Sequence, residues 1–163
     1  MSLERVKEFF AQHGMEDRIQ EFDVSSATVE LAAAALHCES ARIAKTLSFL
    51  VNGGGILIVA AGDARIDNQK YKAQFGVKAR MIPAEQTEEI VGHRVGGICP
   101  FGVKEGLAVY LDCSLKRFDT VFPACGSGNS AIELTLEELG RYSAYEAWVD
   151  VCKGWQEDTK SAV

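Results

Sequence analysis

Thr46-Leu47-Ser48-Phe49-Leu50-Val51-Asn52-Gly53-Gly54-Gly55-Ile56-Leu57-Ile58-Val59-Ala60-Ala61 is the stretch that decides the fold. Leu47, Phe49 and Val51 alternate with Thr46, Ser48 and Leu50, the period of a half-buried strand. Asn52 to Gly55 reads as a turn, because asparagine and glycine accept the positive φ angles of a tight reversal. Ile56 to Ala61 is an unbroken apolar run of strand length, the pattern of a strand covered on both faces. The stretch therefore predicts a hairpin whose second strand lies deep in a sheet.

Before the hairpin, Leu3, Val6, Phe9 and Phe10 share one helical face, with Ser2 as a cap and Gly14 as a stop. An extended piece over Arg18 to Asp23 follows. Ser25, Ser26 and Thr28 are candidate caps for an alanine-rich helix over Val29 to Leu36. After the hairpin, Gly62-Asp63 closes the strand. Asp67 or Asn68 caps a helix over Gln69 to Phe75, and Gly76 stops it. A short strand is expected over Val77 to Met81. Pro83 opens a helix through Val91, ended by Gly92.

Leu107 to Leu111 reads as a strand. Thr120 to Cys125 and Ser130 to Leu134 flank Gly126-Ser127-Gly128-Asn129 as a second hairpin. Thr135 and Glu138 have capping-box spacing for a helix from Leu136. Trp148 to Cys152 fits either a last helix or a closing strand. Strands outnumber crossover units, and several connections are too short to join parallel neighbours. The expected fold class is α+β, a mixed, mainly antiparallel sheet surrounded by helices. It forms a single domain over residues 1–155, with 156–163 as a disordered tail.

At 163 residues one core can bury enough surface without disulfides or metals. Cysteines at 38, 99, 113, 125 and 152 show no C-x-x-C spacing, and His13, His37 and His93 are scattered. Neither a disulfide framework nor a metal site is expected. No run approaches the roughly 20 apolar residues of a membrane span. The first residues carry no apolar signal core, so a cytoplasmic protein without a membrane partner is expected. The net charge of −6 excludes a protein that wraps nucleic acid by bulk electrostatics, and no DNA partner is expected. Arg65, Lys70, Lys72, Lys78 and Arg80 cluster locally, the pattern of a solvated edge.

Lys45, in Ala41-Arg42-Ile43-Ala44-Lys45-Thr46-Leu47, stands at the mouth of the first strand among apolar neighbours. A partly desolvated lysine there is a fixed positive charge with three donors, able to hold a carbonyl, a phosphate or a developing oxyanion. Gly96-Gly97-Ile98-Cys99-Pro100-Phe101-Gly102 and Gly126-Ser127-Gly128-Asn129 are glycine-rich loops with backbone N–H groups uncovered by side chains. Neither has the spacing of a nucleotide phosphate loop. Cys99 reads as a buried structural thiol, a nucleophile only if a base such as His93 activates it. No G-x-S-x-G, H-E-x-x-H or carboxylate pair supplies a familiar catalytic group.

The Ala41–Leu47 stretch, Ala60-Ala61-Gly62-Asp63, the Gly96–Gly102 loop and Gly126-Ser127-Gly128-Asn129-Ser130-Ala131-Ile132-Glu133-Leu134 occur in that order. In order and spacing they resemble the YbaK/EbsC family, the free-standing relatives of the editing domain inserted in bacterial prolyl-tRNA synthetases. The likeness runs from about Leu3 to Cys152. It implies a barrel-like sheet and a trans-editing deacylase that hydrolyses the ester joining a wrong amino acid to tRNA, with no cofactor. Lys45 matches the essential lysine. Asp63, Gly96, Gly97, Pro100, Phe101, Gly126, Ser127, Gly128, Asn129 and Ser130 fall in the matching motifs as substrate-binding residues. Some alanine-specific members carry a histidine near the second loop, where this chain has Asn129-Ser130. Thr28, Thr46 and Ser130 could instead offer hydroxyls to a serine or threonine substrate. The implied partner is the aminoacyl-tRNA acceptor end, delivered by a synthetase or an elongation factor. The competing readings are a non-catalytic tRNA- or amino-acid-binding module beside a synthetase and a thiol hydrolase using Cys99.

Overall fold

The computed structural model describes residues 2–155, so the expected tail at 156–163 lies outside the described residues. Helix α1 (Ser2–Ala11) turns Val6 and Phe10 fully inward, and the chain leaves it through Gly14 at φ +71°. One 3₁₀ turn leads to β1 (Ile19–Glu21). Helix α2 (Val29–Leu36) is capped by Thr28, whose hydroxyl accepts from the Leu31 N–H at 3.2 Å. Its Ala32 and Ala33 pack on Ile43 and Phe122, where a larger side chain would hold the helix off the sheet.

Strands β2 (Ile43–Val51) and β3 (Gly54–Ala61) form the hairpin, in register from Ala44 opposite Ala61 to Val51 opposite Gly54. The turn is tighter than the sequence suggests. Only Asn52 and Gly53 reverse the chain, at φ +50° and +84°, the two-residue geometry that matches strand twist. Gly54 and Gly55 belong to β3.

Then come β4 (Arg65–Ile66) and α3 (Asn68–Phe75). The Asp67 carboxylate caps α3 by accepting from the N–H groups of Gln69 and Lys70, and Gly76 ends it at φ +78°. The expected strand over Val77 to Met81 reduces to one isolated bridge, Met81 to Phe49. The expected helix from Pro83 to Val91 is a 3₁₀ turn at Ala84–Gln86 followed by the single turn α4 (Thr87–Ile90). β5 (Ala108–Asp112), β6 (Thr120–Pro123), β7 (Ser130–Ile132) and β8 (Leu134–Thr135) follow. Helix α5 (Leu136–Ser143) opens on a complete capping box of Thr135 and Glu138. The ambiguous last piece is extended: β9 (Ala147–Val149) and β10 (Cys152–Lys153).

The main sheet has the order β8-β6-β2-β3-β5-β9, and β1-β7 and β4-β10 form two short ribbons. Four of the seven ladders are antiparallel, so the fold is the expected mixed α+β class, with the sheet curled into a half-barrel. The second hairpin keeps its register at Val121–Leu134 and Ala124–Ala131, but β7 takes β1 as its ladder partner. β3 runs parallel to β5 because α3 and α4 carry the chain back across the sheet before β5 begins. Leu57, Ile58, Val59, Ala60 and Ala61 have no solvent exposure. Each of the larger three contributes roughly 1.5–3 kcal/mol of burial.

Where β3 ends, the backbone of Ser40 crosses directly over Gly62. A Cβ on Gly62 would stand 2.0 Å from the Ser40 carbonyl oxygen and 2.8 Å from Val29. This contact, rather than a turn angle, demands glycine. Gly62→Ala should destabilise the protein by about 1–3 kcal/mol or more, as overpacking against backbone does, measured by urea unfolding.

Candidate active site

Strand β2 begins at Ile43, so Lys45 lies inside the strand, opposite Ala60, rather than just before it. Its side chain is half-buried. The ammonium group donates to the carbonyl oxygen of Gly62 at 3.4 Å and to that of Ala64. The bend after β3 thus aims two carbonyls at one lysine. Burial pushes the Lys45 pKa down, and the nearby Cys152 and Asp63 oppose that only in part.

Lys45 lines a cavity of about 390 Å³, within the size range of small-molecule sites. The wall across from β2 comes from Thr28, Val29 and Ala32 of α2 and its approach. Gly96 and Ile98 of the first glycine loop, Phe122 and Ala124 near β6, and Ser130 and Ala131 of β7 complete it. The lining is largely apolar, with hydroxyls set into it. Ser26 Oγ and Thr46 Oγ1 belong to lining residues, are buried, and have no hydrogen-bond partner in the protein. Buried polar atoms are rarely left so.

The two glycine loops touch backbone to backbone. A Cβ on Gly97 would lie 2.6 Å from the Ser127 nitrogen and 2.7 Å from the Gly126 carbonyl carbon. Gly128 accepts from the Ser26 N–H at 2.7 Å, and Asn129 accepts from the Phe22 N–H at 2.8 Å through its backbone. The Asn129 side-chain amide returns a bond to the Phe22 carbonyl at 3.1 Å. Ser127 Oγ meets Ser130 Oγ at 2.6 Å and donates to Asn129 Oδ1 at 2.9 Å. The Gly97 N–H donates to the Arg94 carbonyl, so it serves the loop itself.

Of the residues singled out from sequence, Lys45, Thr28, Thr46, Gly96 and Ser130 line the cavity. Gly97, Gly126, Ser127 and Gly128 line a neighbouring depression that shares Val95 with it. Asn129 ties its loop to Phe22. Asp63 is held outside by Arg117, with two N–O contacts of 2.6 and 2.9 Å. Pro100 is buried. Phe101, expected at the substrate, packs edge-to-face on Phe10 at 4.9 Å and anchors the loop to α1 instead. Ser26, expected only as a cap, and Ser48, which has no role in the sequence pattern beyond the strand alternation, are buried and also line the cavity. The signal was there: Thr46 and Ser48 are polar at successive same-side positions of an otherwise apolar strand.

Cys99 has no exposure, lies outside the cavity, and is pushed up to about 12 by burial, which disarms it as a nucleophile. Asp112, Cys113 and Asp150 bring ligand-type atoms within 4.8 Å of one another. Asp112 is already engaged, accepting from the N–H groups of Ser114 and Val151 at 2.9 Å each, and Asp150 pairs with Lys70. Burial raises the Cys113 thiol to about 11. The cluster stitches the closing segment to β5.

Residues 23–142 match the family described as the aminoacyl-tRNA editing domain, and the chain belongs to that family, also called the YbaK family. Among its relatives, the uncharacterized protein YwhH of Bacillus subtilis (strain 168) is 55% identical over 157 residues, covering 96% of this chain and 100% of YwhH. The proline–tRNA ligase of Limosilactobacillus fermentum is 27% identical over 95 residues, 55% of this chain and 17% of the ligase. A crystal structure described as a candidate trans-editing enzyme for prolyl-tRNA synthetase superposes with a TM-score of 0.84 at 28% identity, over 94% of this chain and 98% of that one.

His93 sits beneath the first loop with no exposure, its Nε2–H donating to the Phe101 carbonyl at 2.7 Å. Burial lowers its pKa, so the folded protein keeps it neutral. The unfolded chain takes up a proton first, below pH about 6.5. Stability is therefore full above that pH and declines as pH falls toward the lower folded-state value. His93→Gln, which keeps a donor, should flatten this acid limb in unfolding curves taken from pH 7 to 5.

Proposed function

We propose that the protein is a trans-editing hydrolase of the cytoplasm, an aminoacyl-tRNA deacylase that cleaves the ester between a wrong amino acid and the terminal ribose. The observation that carries this reading is the partly desolvated Lys45 ammonium in the wall of a cavity of about 390 Å³. In that setting a fixed cation acts strongly on a carbonyl oxygen, because little water screens it.

In the reaction, the ester carbonyl lies against the Lys45 ammonium. Water attacks the carbonyl carbon, a ribose hydroxyl of the substrate relaying the proton it sheds toward the leaving ribose oxygen, and negative charge grows on the oxygen that Lys45 holds. The tetrahedral centre then collapses, the ribose oxygen leaves and takes a proton, and the amino acid is released. The glycine loops act chiefly by shape, since their backbones must abut for Gly96 to reach the cavity. Ser26, Thr46 and Ser130 bring hydroxyl-bearing residues into the lining, which favours a small polar side chain such as that of serine or threonine. A chain of net charge −6 meets the acceptor end locally, with delivery by a synthetase or elongation factor.

The test is a panel of tRNAs charged with alanine, cysteine, serine or threonine. Wild-type protein should remove at least one of these esters, and Lys45→Ala should slow that removal roughly 100-fold or more. Full activity in the variant would overturn the role of Lys45. Binding of the charged tRNAs with no hydrolysis would make the protein a binding module. The cation is the working form, so the rate above hydroxide background should fall as pH rises through the depressed Lys45 pKa, before the ordinary lysine range is reached.

A further inference from the structure

The two-stranded ribbon β4-β10 places Arg65 directly opposite Lys153. Directly opposed residues of an antiparallel pair share a face with their Cβ atoms roughly 5 Å apart, and like charges there repel. Both side chains are exposed, and among the described residues neither forms an ion pair. Of the other cations near the ribbon, Lys70 pairs with Asp150 and Arg117 with Asp63, while Lys45 is held by backbone carbonyls. The Asp67 carboxylate caps α3 and lies close enough to Lys153 for the two charges to attract, without forming an ion pair. In a chain with 23 acidic and 17 basic residues, two exposed cations fixed face to face by a ladder, with no ion pair among the described residues, concentrate positive charge at one place.

Its position gives it a use. Ala64, whose carbonyl accepts from the Lys45 ammonium, immediately precedes Arg65 in the chain. The Arg65 guanidinium also lies along the Gly154 backbone, 3.3 Å from where a Cβ would stand. A glycine there leaves room for the guanidinium beside the ribbon. We infer that Arg65 and Lys153 form a phosphate-binding clamp for the 3′-terminal strand of the tRNA, gripping the backbone next to the ester that Lys45 holds. This rests on the deacylase reading for the ester but not for the RNA contact. Two cations facing one strand suit a phosphodiester backbone, guanidinium by its fork and ammonium as a point charge. Such contacts position the chain without reading its sequence.

The experiment uses the full chain and an uncharged acceptor-stem RNA hairpin ending in CCA. Affinity is measured from low to moderate KCl for wild type, Arg65→Gln, Lys153→Gln, the double variant, and Lys104→Gln as a control beyond the ribbon. The double variant should bind several-fold more weakly, with the slope of log K against log salt shallower by about 1.4, as for two contacts to a single strand. The control should match wild type. Removing a repelling pair should leave the melting temperature equal or higher, so lost binding cannot be ascribed to unfolding. Where deacylation is observed, the double variant should raise KM for charged tRNA with little change in kcat. It should leave hydrolysis of an aminoacyl-adenosine, which lacks the phosphates, unchanged.

Wild-type RNA binding that the double variant retains in full would overturn the clamp, whatever the catalytic result. Absence of RNA binding by the wild-type protein would overturn the clamp and leave the deacylase to be decided by ester hydrolysis. Pair-dependent RNA binding with no ester hydrolysis would support the clamp and remove only the catalytic reading.

Discussion

The fold is arranged around a strand, β3, whose residues from Leu57 to Ala61 have no solvent exposure. β3 is covered on both faces, and its backbone polar groups are satisfied by β2 on one side and β5 on the other. A strand buried in this way needs neighbours already in place, because an unpaired buried N–H or C=O costs as much as a lost hydrogen bond. That need explains the long return through α3 and α4, which brings β5 alongside β3. It also explains the Ser114 hydroxyl that meets the last N–H of the strand, at Ala61. Side-chain size is limited just past its end, where Gly62 has no room for a Cβ because Val29 of α2 and the Ser40 backbone lie against it.

The candidate site is made where this buried framework stops. Past Ala61 the chain bends, and the carbonyls of Gly62 and Ala64 turn toward the neighbouring strand. Lys45 answers them from β2. A lysine held in this way is partly stripped of water, which costs stability and sharpens its field. The protein tolerates that cost at one place, and two residues of the same cavity, Ser26 and Thr46, carry buried hydroxyls without a partner, a departure from folding rules of the kind found at functional sites.

The glycine loops contribute through contact between backbones. Gly97 lies so close to Gly126 and Ser127 that any side chain would push the loops apart and pull Gly96 away from the cavity. Phe101 and His93 then fasten the first loop from below, against α1 and through its own carbonyl. The residues that build the site and those that touch its cavity are thus different sets, although they share the same short motifs.

The sequence by itself determined what depends on neighbours along the chain. The caps Thr28 and Asp67, the Thr135–Glu138 box, the existence of the β2-β3 hairpin, and the motif order around Lys45 are all local, set by hydrogen bonds within a few residues or by hydrophobic period. Only the tertiary structure decided what depends on distant neighbours. β7 left its hairpin partner for β1, the Val77–Met81 segment kept a single bridge to Phe49, and Trp148 to Cys152 became strands because β5 and β4 offered open edges. Phe101 went to the core and Ser26 to the cavity for the same reason. Which side of a loop meets solvent is settled by the elements packed against it, and no spacing rule within the loop encodes that.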